Sequence, residues 1–151
     1  MSETALIVGA GSGLSGSLAR LLRKEGFRVA LAARNVQKLD GFDAQKIRCD
    51  ATDRAQVEAA FDALPAVPDL VVYNASYRTR GPVAELDLDE VRKSLEVTAY
   101  AGFLVGRAAT SSGTSVVWVK TKPFSVCSIS GSVWLEANRI CFASPVTGIC
   151  S

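Results

Sequence analysis

Apolar positions along the chain fall into two alternating kinds of segment. Short, mostly apolar runs at Ala5 to Val8, Arg28 to Ala33, Lys46 to Cys49 and Leu70 to Tyr73 predict strands. The first and fourth are apolar throughout, as in strands covered on both faces of a parallel sheet. Between the runs the spacing becomes helical. Leu14, Leu18, Leu21 and Leu22 form one stripe, closed by Gly26 where a helix end favours a left-handed residue. A second helix starts from Thr52 or Asp53, carries Val57, Phe61 and Leu64, and stops at Pro65. The longest starts at Asp87 with Glu90 three residues on, and Val91, Leu95, Thr98, Ala99 and Gly102 continue one face to about Ala109. Strand and helix in alternation predict an α/β fold with a doubly wound parallel sheet.

The pattern breaks at about Thr110. Residues 110–151 hold 13 Ser or Thr, one acid (Glu136) and three of the four Cys, whereas residues 1–109 hold 14 basic and 14 acidic residues. Thr114 to Val119 is β-branched and apolar enough for a fifth strand, ended by Lys120 to Pro123. The expected organisation is a nucleotide-binding core over 1–109, with 110–151 as an atypical, poorly ordered continuation of the same domain. The sheet would be incomplete at its C-terminal end.

The first candidate chemistry is the turn between the first strand and first helix, Gly9-Ala10-Gly11-Ser12-Gly13, followed by Leu14. Glycines there let the backbone approach a pyrophosphate, and the free N–H groups and positive end of the helix attract it. Gly11-x-Gly13-x-x-Gly16 fits one dinucleotide spacing and Gly9-x-x-x-Gly13-x-Ser15 a wider one, and both stay open. The bland alternative is a glycine turn that only packs helix on strand. Strand two ends in Arg34-Asn35, where an NAD site would carry an acid for the ribose 2′-hydroxyl. A guanidinium there suits a 2′-phosphate, so NADP is the expected cofactor. An ordinary surface arginine is the alternative.

The wider glycine spacing resembles the TGxxxGxG loop of the short-chain dehydrogenase/reductase family, with Val8 for the Thr and Ser15 for the last Gly. The resemblance covers residues 1–109 and implies a Rossmann-type fold and hydride transfer between NADP(H) and a carbonyl or alcohol. It implies further cofactor contacts. Asp50, with Ala51, matches the family's adenine-binding Asp, and Asn74-Ala75 matches the centre of its NNAG turn beside the cofactor ribose, with Tyr73 and Ser76 as departures. Thr98 falls where the family has a catalytic-site Asn, and lacks an amide's paired donor and acceptor. By the same resemblance the helix over 88–109 makes subunit contacts, Gly102 and Gly106 admitting a second helix; packing against the chain's own sheet is the competing expectation.

The family's chemistry needs a Tyr with a Lys four residues on, the Lys lowering the pKa of a phenol that passes a proton. Tyr73, Tyr77 and Tyr100 have no such Lys. Ser128-Ile129-Ser130-Gly131 resembles the turn bearing the family's Ser, but thirteen residues on Cys141 and Pro145 stand at the Tyr and Lys positions. No catalytic residue is therefore assigned.

Composition narrows the remaining classes. With 17 basic and 15 acidic residues dispersed over 151, the chain has no basic stripe for nucleic acid. No apolar run approaches a membrane span, and the opening Met-Ser-Glu-Thr lacks a positive n-region, so a cytoplasmic protein is expected. The absence of histidine excludes Ser-His and Cys-His nucleophile pairs and histidine metal sites, and the cysteine spacings fit no zinc pattern. Two classes stay open: an NADP(H)-dependent oxidoreductase acting on an unidentified small molecule, and a nucleotide-binding relative or truncated product without activity.

Overall fold

The computed structural model describes residues 3–120, 124–129 and 132–137. Strands β1 (Thr4–Val8), β2 (Arg28–Ala33), β3 (Gln45–Arg48), β4 (Leu70–Tyr73), β5 (Val116–Lys120), β6 (Phe124–Ile129) and β7 (Ser132–Ala137) form one sheet in the order β3-β2-β1-β4-β5-β6-β7. From β3 to β5 every pairing is parallel. Helices α1 (Leu14–Lys24), α2 (Arg54–Asp62), α3 (Leu88–Leu95) and α4 (Ala101–Ser112) make the crossovers. This is the doubly wound α/β sheet that the alternation of runs predicts. The chain leaves β1 towards β2 and β3 on one side and reaches β4 on the other, so the strand order reverses between β1 and β4. Open sheets of this kind bind ligands in the crevice at such a point.

Alternation within each strand sends side chains into two separate cores. Ala5, Ile7, Leu31, Ala33 and Val72 meet Ala19 and Leu22 of α1. Leu6, Val8, Ala30, Ala32, Val71 and Tyr73 meet Val57 and Ala60 of α2 and Ala101, Val105 and Ala109 of α4. Two covered faces explain why β1 and β4 carry no polar alternation. Each wholly buried side chain such as Leu6, Ile7 or Leu31 contributes about 1.5–3 kcal/mol. On the far edge β3 is mostly exposed, which fits its Gln, Lys and Arg.

Two sequence expectations are corrected. In α1, Leu14 and Leu21 are each 54% exposed, and the buried face is Ser15, Gly16, Ala19 and Leu22. Small residues let the helix lie close on the sheet, which rotates the leucine stripe partly into solvent. In the longest helix, Leu95 and Ala99 are exposed rather than buried. A π-helical turn at Glu96–Tyr100 joins α3 to α4 and inserts an extra residue. It resets the inward face, which becomes Ala101, Gly102, Leu104, Val105 and Ala109. Gly102 is thus part of the chain's own packing. The fifth strand ends at Lys120, as expected, and antiparallel β6 and β7 follow it in the sheet. Cys141, Pro145 and the Ser130-Gly131 turn lie outside the described residues.

Candidate nucleotide site

The register pairs Val8 with Ala32 on one side and with Tyr73 on the other, so β1, β2 and β4 end at one level. Beyond that level stand all the sequence-chosen residues: Gly9, Gly11, Ser12, Gly13 and Leu14 after β1, Arg34 and Asn35 after β2, Asp50 and Ala51 after β3, and Asn74 and Ala75 after β4. They come from four loops on one edge of the sheet.

The glycine loop is tied down by backbone. The N–H groups of Gly9 and Ala10 both donate to the Ala32 carbonyl, at 2.9 and 3.1 Å, which turns the chain sharply over β2. Gly9 has φ +81, and a Cβ built there would lie 2.3 Å from the Ala75 nitrogen. Gly16 faces Phe42, whose ring would stand 2.6 Å from a Cβ. Gly11 and Gly13 differ: a Cβ at either meets no atom within 4 Å. Gly9 and Gly16 are therefore required by the protein's own packing, whereas Gly11 and Gly13 stand in open space. Open space ahead of a helix start with no side-chain cap and no acid in its first turn leaves room for an anion.

Arg34 is exposed at the end of β2 and has no ion pair among the described residues. Asn35 is occupied locally: its Oδ1 accepts from the Gln37 N–H at 3.0 Å and caps the short 3-10 turn Val36–Leu39. At β3, Asp50 Oδ1 accepts from the Thr52 N–H at 3.0 Å and the Thr52 hydroxyl at 2.8 Å. Its second oxygen has no protein partner among the described residues. Beside it Cys49 is buried, and desolvation with the charges of Asp50 and Asp53 pushes its thiol up to about 11. That thiol stays protonated and is inert.

After β4, the Asn74 N–H donates to the Val8 carbonyl at 2.9 Å, and its side-chain amide donates to Ser15 Oγ at 2.8 Å. Ser15 is the departure from the family's final glycine, and Gly16 takes up the close packing beside it. Further along, Tyr77 is clasped by the long helix. Its N–H donates to Thr98 Oγ1 at 3.2 Å, and its carbonyl accepts from Thr98 Oγ1 at 3.1 Å and Ser94 Oγ at 2.8 Å. The single hydroxyl of Thr98 both donates and accepts, and both capacities are spent on the Tyr77 backbone.

Two of the three tyrosines have their phenols committed within the protein. Tyr73 is wholly buried, its hydroxyl donates to the Val97 carbonyl, and burial raises its pKa. The Tyr77 hydroxyl donates to Glu90, with Lys93 Nζ 4.5 Å from the ring centroid. This Tyr77–Glu90–Lys93 cluster escaped the sequence reading. Glu90 and Lys93 are one helical turn apart, the only signal that could have paired them. Tyr100 is 52% exposed. Among the described residues no helix is long and apolar enough to cross a membrane.

A family model described as short chain dehydrogenase matches residues 3–119. D-threitol dehydrogenase of Mycolicibacterium smegmatis is 29% identical over 118 residues, covering 70% of this chain and 45% of that protein. Trans-4-hydroxycyclohexanecarboxylate dehydrogenase of Sinomonas cyclohexanicum is 29% identical over 170 residues, and its alignment takes in 97% of this chain and 62% of that protein. Among solved structures, an actinorhodin polyketide ketoreductase variant with NADPH superposes with a TM-score of 0.67 at 30% identity, over 74% of this chain and 48% of that one. The chain spans about half the length of the relatives it matches.

Proposed function

The chain belongs to the short-chain dehydrogenase family, and from that premise we propose that it binds NADP(H) in the crevice between β1 and β4. The observation that carries the reading is the open space at Gly11 and Gly13 in front of the uncapped start of α1. There the pyrophosphate would accept hydrogen bonds from backbone N–H groups. Arg34 would pair with the 2′-phosphate, and the free Asp50 oxygen would accept from the adenine amino group. Asn74 and Ala75 would line the ribose. The ketoreductase relative solved with NADPH supports the same choice of dinucleotide. When bound, the cofactor supplies a hydride; the chain's own residues bind and orient it. The test is titration: NADPH should bind more tightly than NADH, and Arg34→Asp should reverse the order. Equal affinities in the parent protein would defeat the assignment.

Family relatives are oxidoreductases, and reduction of a carbonyl is the activity to assay. The second reading, a nucleotide binder without turnover, is favoured for this chain in isolation by Tyr73 and Tyr77, whose phenols are committed to Val97 and Glu90. Hydride transfer leaves an alkoxide that needs a proton at once, and a missing general acid costs about 10²–10⁴ in rate. NADPH oxidation followed across aldehydes and ketones should stay at background, and robust turnover would favour the enzyme.

A further inference from the structure

Ser15 occupies the first turn of α1 and is 3% exposed. Its hydroxyl joins two loops far apart in the chain. Asn74 Nδ2 donates to it at 2.8 Å, and it points to the Gly9 carbonyl at a longer 3.4 Å. The same two loops touch at Gly9 and Ala75, where no Cβ would fit. The far end of the second loop is pinned at Tyr77 by Thr98 and Ser94. The stretch from Asn74 to Tyr77 is therefore held at one end by the glycine loop and at the other by the π-turn. A glycine at position 15 would provide no hydroxyl, and the Asn74 amide would lose its partner.

We propose that Ser15 is a positioning residue of the cofactor site: its hydroxyl locks the glycine loop and the Asn74–Tyr77 loop into one preformed unit that a bound dinucleotide spans. The role rests on the NADP(H) reading, while the lock itself is a property of the protein without ligand. Losing the lock leaves a buried amide unpaired and two loops free to separate, so binding has to restore their order. A ligand spanning both loops suffers this loss. A ligand confined to the Arg34 end does not.

The experiment uses the full chain with Ser15→Ala, and Ser15→Gly as a second variant. Without nucleotide, hydrogen exchange should rise in peptides covering 9–16 and 70–80 and stay unchanged in α2. An unchanged exchange pattern overturns the lock. With nucleotide, Ser15→Ala should weaken NADPH about tenfold and leave adenosine 2′-monophosphate within about twofold, since that probe lacks the 5′-phosphate the glycine loop would hold and so does not span the two loops. Equal loss for both probes would mean general loosening of the domain and overturn the positioning role. Asn74→Ala combined with Ser15→Ala should weaken NADPH no more than the stronger single change; additive losses overturn the pairing. If the parent binds neither probe, the NADP(H) reading and the positioning role both fall, and the exchange measurement alone decides the lock.

Discussion

At the start of α1 the N-cap is Gly13, with no capping side chain and no acid in the first turn, whereas α2 and α3 begin at Asp53 and Asp87. Asp53 accepts from the N–H groups of Ala55 and Gln56, and Asp87 from those of Asp89 and Glu90, at 2.9 to 3.3 Å. Every helix start leaves about four N–H groups without a partner in the helix. At α2 and α3 the protein meets part of that demand itself and adds negative charge to the positive end of the dipole. At α1 it leaves the demand open, and glycines clear the space in front. A stability-optimised chain would place Ser, Thr, Asp or Asn there. The difference separates two helices whose starts the protein caps itself from one whose start it leaves open.

The glycines repeat the contrast within one loop, which gives the largest expected effect. Gly9→Ala should destabilise the fold by roughly 2–5 kcal/mol, through a left-handed φ and overlap with Ala75. Urea denaturation measures it, and a loss below about 1 kcal/mol would mean that the loop relaxes freely. Gly13→Val should do the reverse. With no atom within 4 Å of its Cβ, stability should change by no more than about 1 kcal/mol, while NADPH affinity falls at least about a hundredfold. Unchanged affinity would reduce the loop to a packing turn.

A smaller effect separates the helix starts directly. Ser12→Asp should place beside the N-cap of α1 an acid like those that cap α2 and α3, raising stability by about 0.3–1 kcal/mol and weakening NADPH about tenfold. Asp87→Ala should cost about 1 kcal/mol and leave NADPH affinity unchanged. Melting curves and titrations on the two variants read both quantities. Similar behaviour of the two starts would remove the distinction.

The smallest effect is on pH dependence. Cys49 is raised from 9.0 to about 11 in the folded protein, so the unfolded thiol loses its proton first as pH rises. The unfolded state then binds fewer protons, and stability falls with pH. The Cys49 contribution is complete below pH 9.0 and disappears as pH rises through about 11; Tyr73, raised by the same burial, acts in the same sense. Cys49→Ala should flatten the decline between those two values in denaturation series, and an unaltered slope would show that Cys49 does not contribute.

Local signals were readable wherever one segment carried its own reason. The strands over Arg28–Ala33 and Leu70–Tyr73 are where the apolar runs put them, and β1 and β3 differ by a residue at their ends. Asp87 caps as its spacing implies, Asp53 rather than Thr52 caps α2, and Gly26 has φ +92 at the end of α1. The site residues could be gathered in advance because the glycine turn, Arg34 and the family resemblance at Asp50 and Asn74 all point to strand ends, and parallel strands all end on the same side. The face of α1 was not readable, since Leu14 and Leu18 satisfy helical periodicity as well as Ser15, Ala19 and Leu22 do. Only the distance to the sheet selects the smaller side chains.

The sequence by itself determined the alternation of strand and helix, the glycine turn and the caps, because these depend on residues within a few positions of one another. Tertiary structure decided what depends on partners distant in the chain. It separated glycines required by packing, Gly9 and Gly16, from those in open space, Gly11 and Gly13. It turned Thr98 against the Tyr77 backbone through a π-turn that no periodicity announced. It also gave the Ser15 hydroxyl its partner in Asn74. A buried polar group has to find a partner somewhere, and which one it finds is set by how the strands order themselves in the sheet.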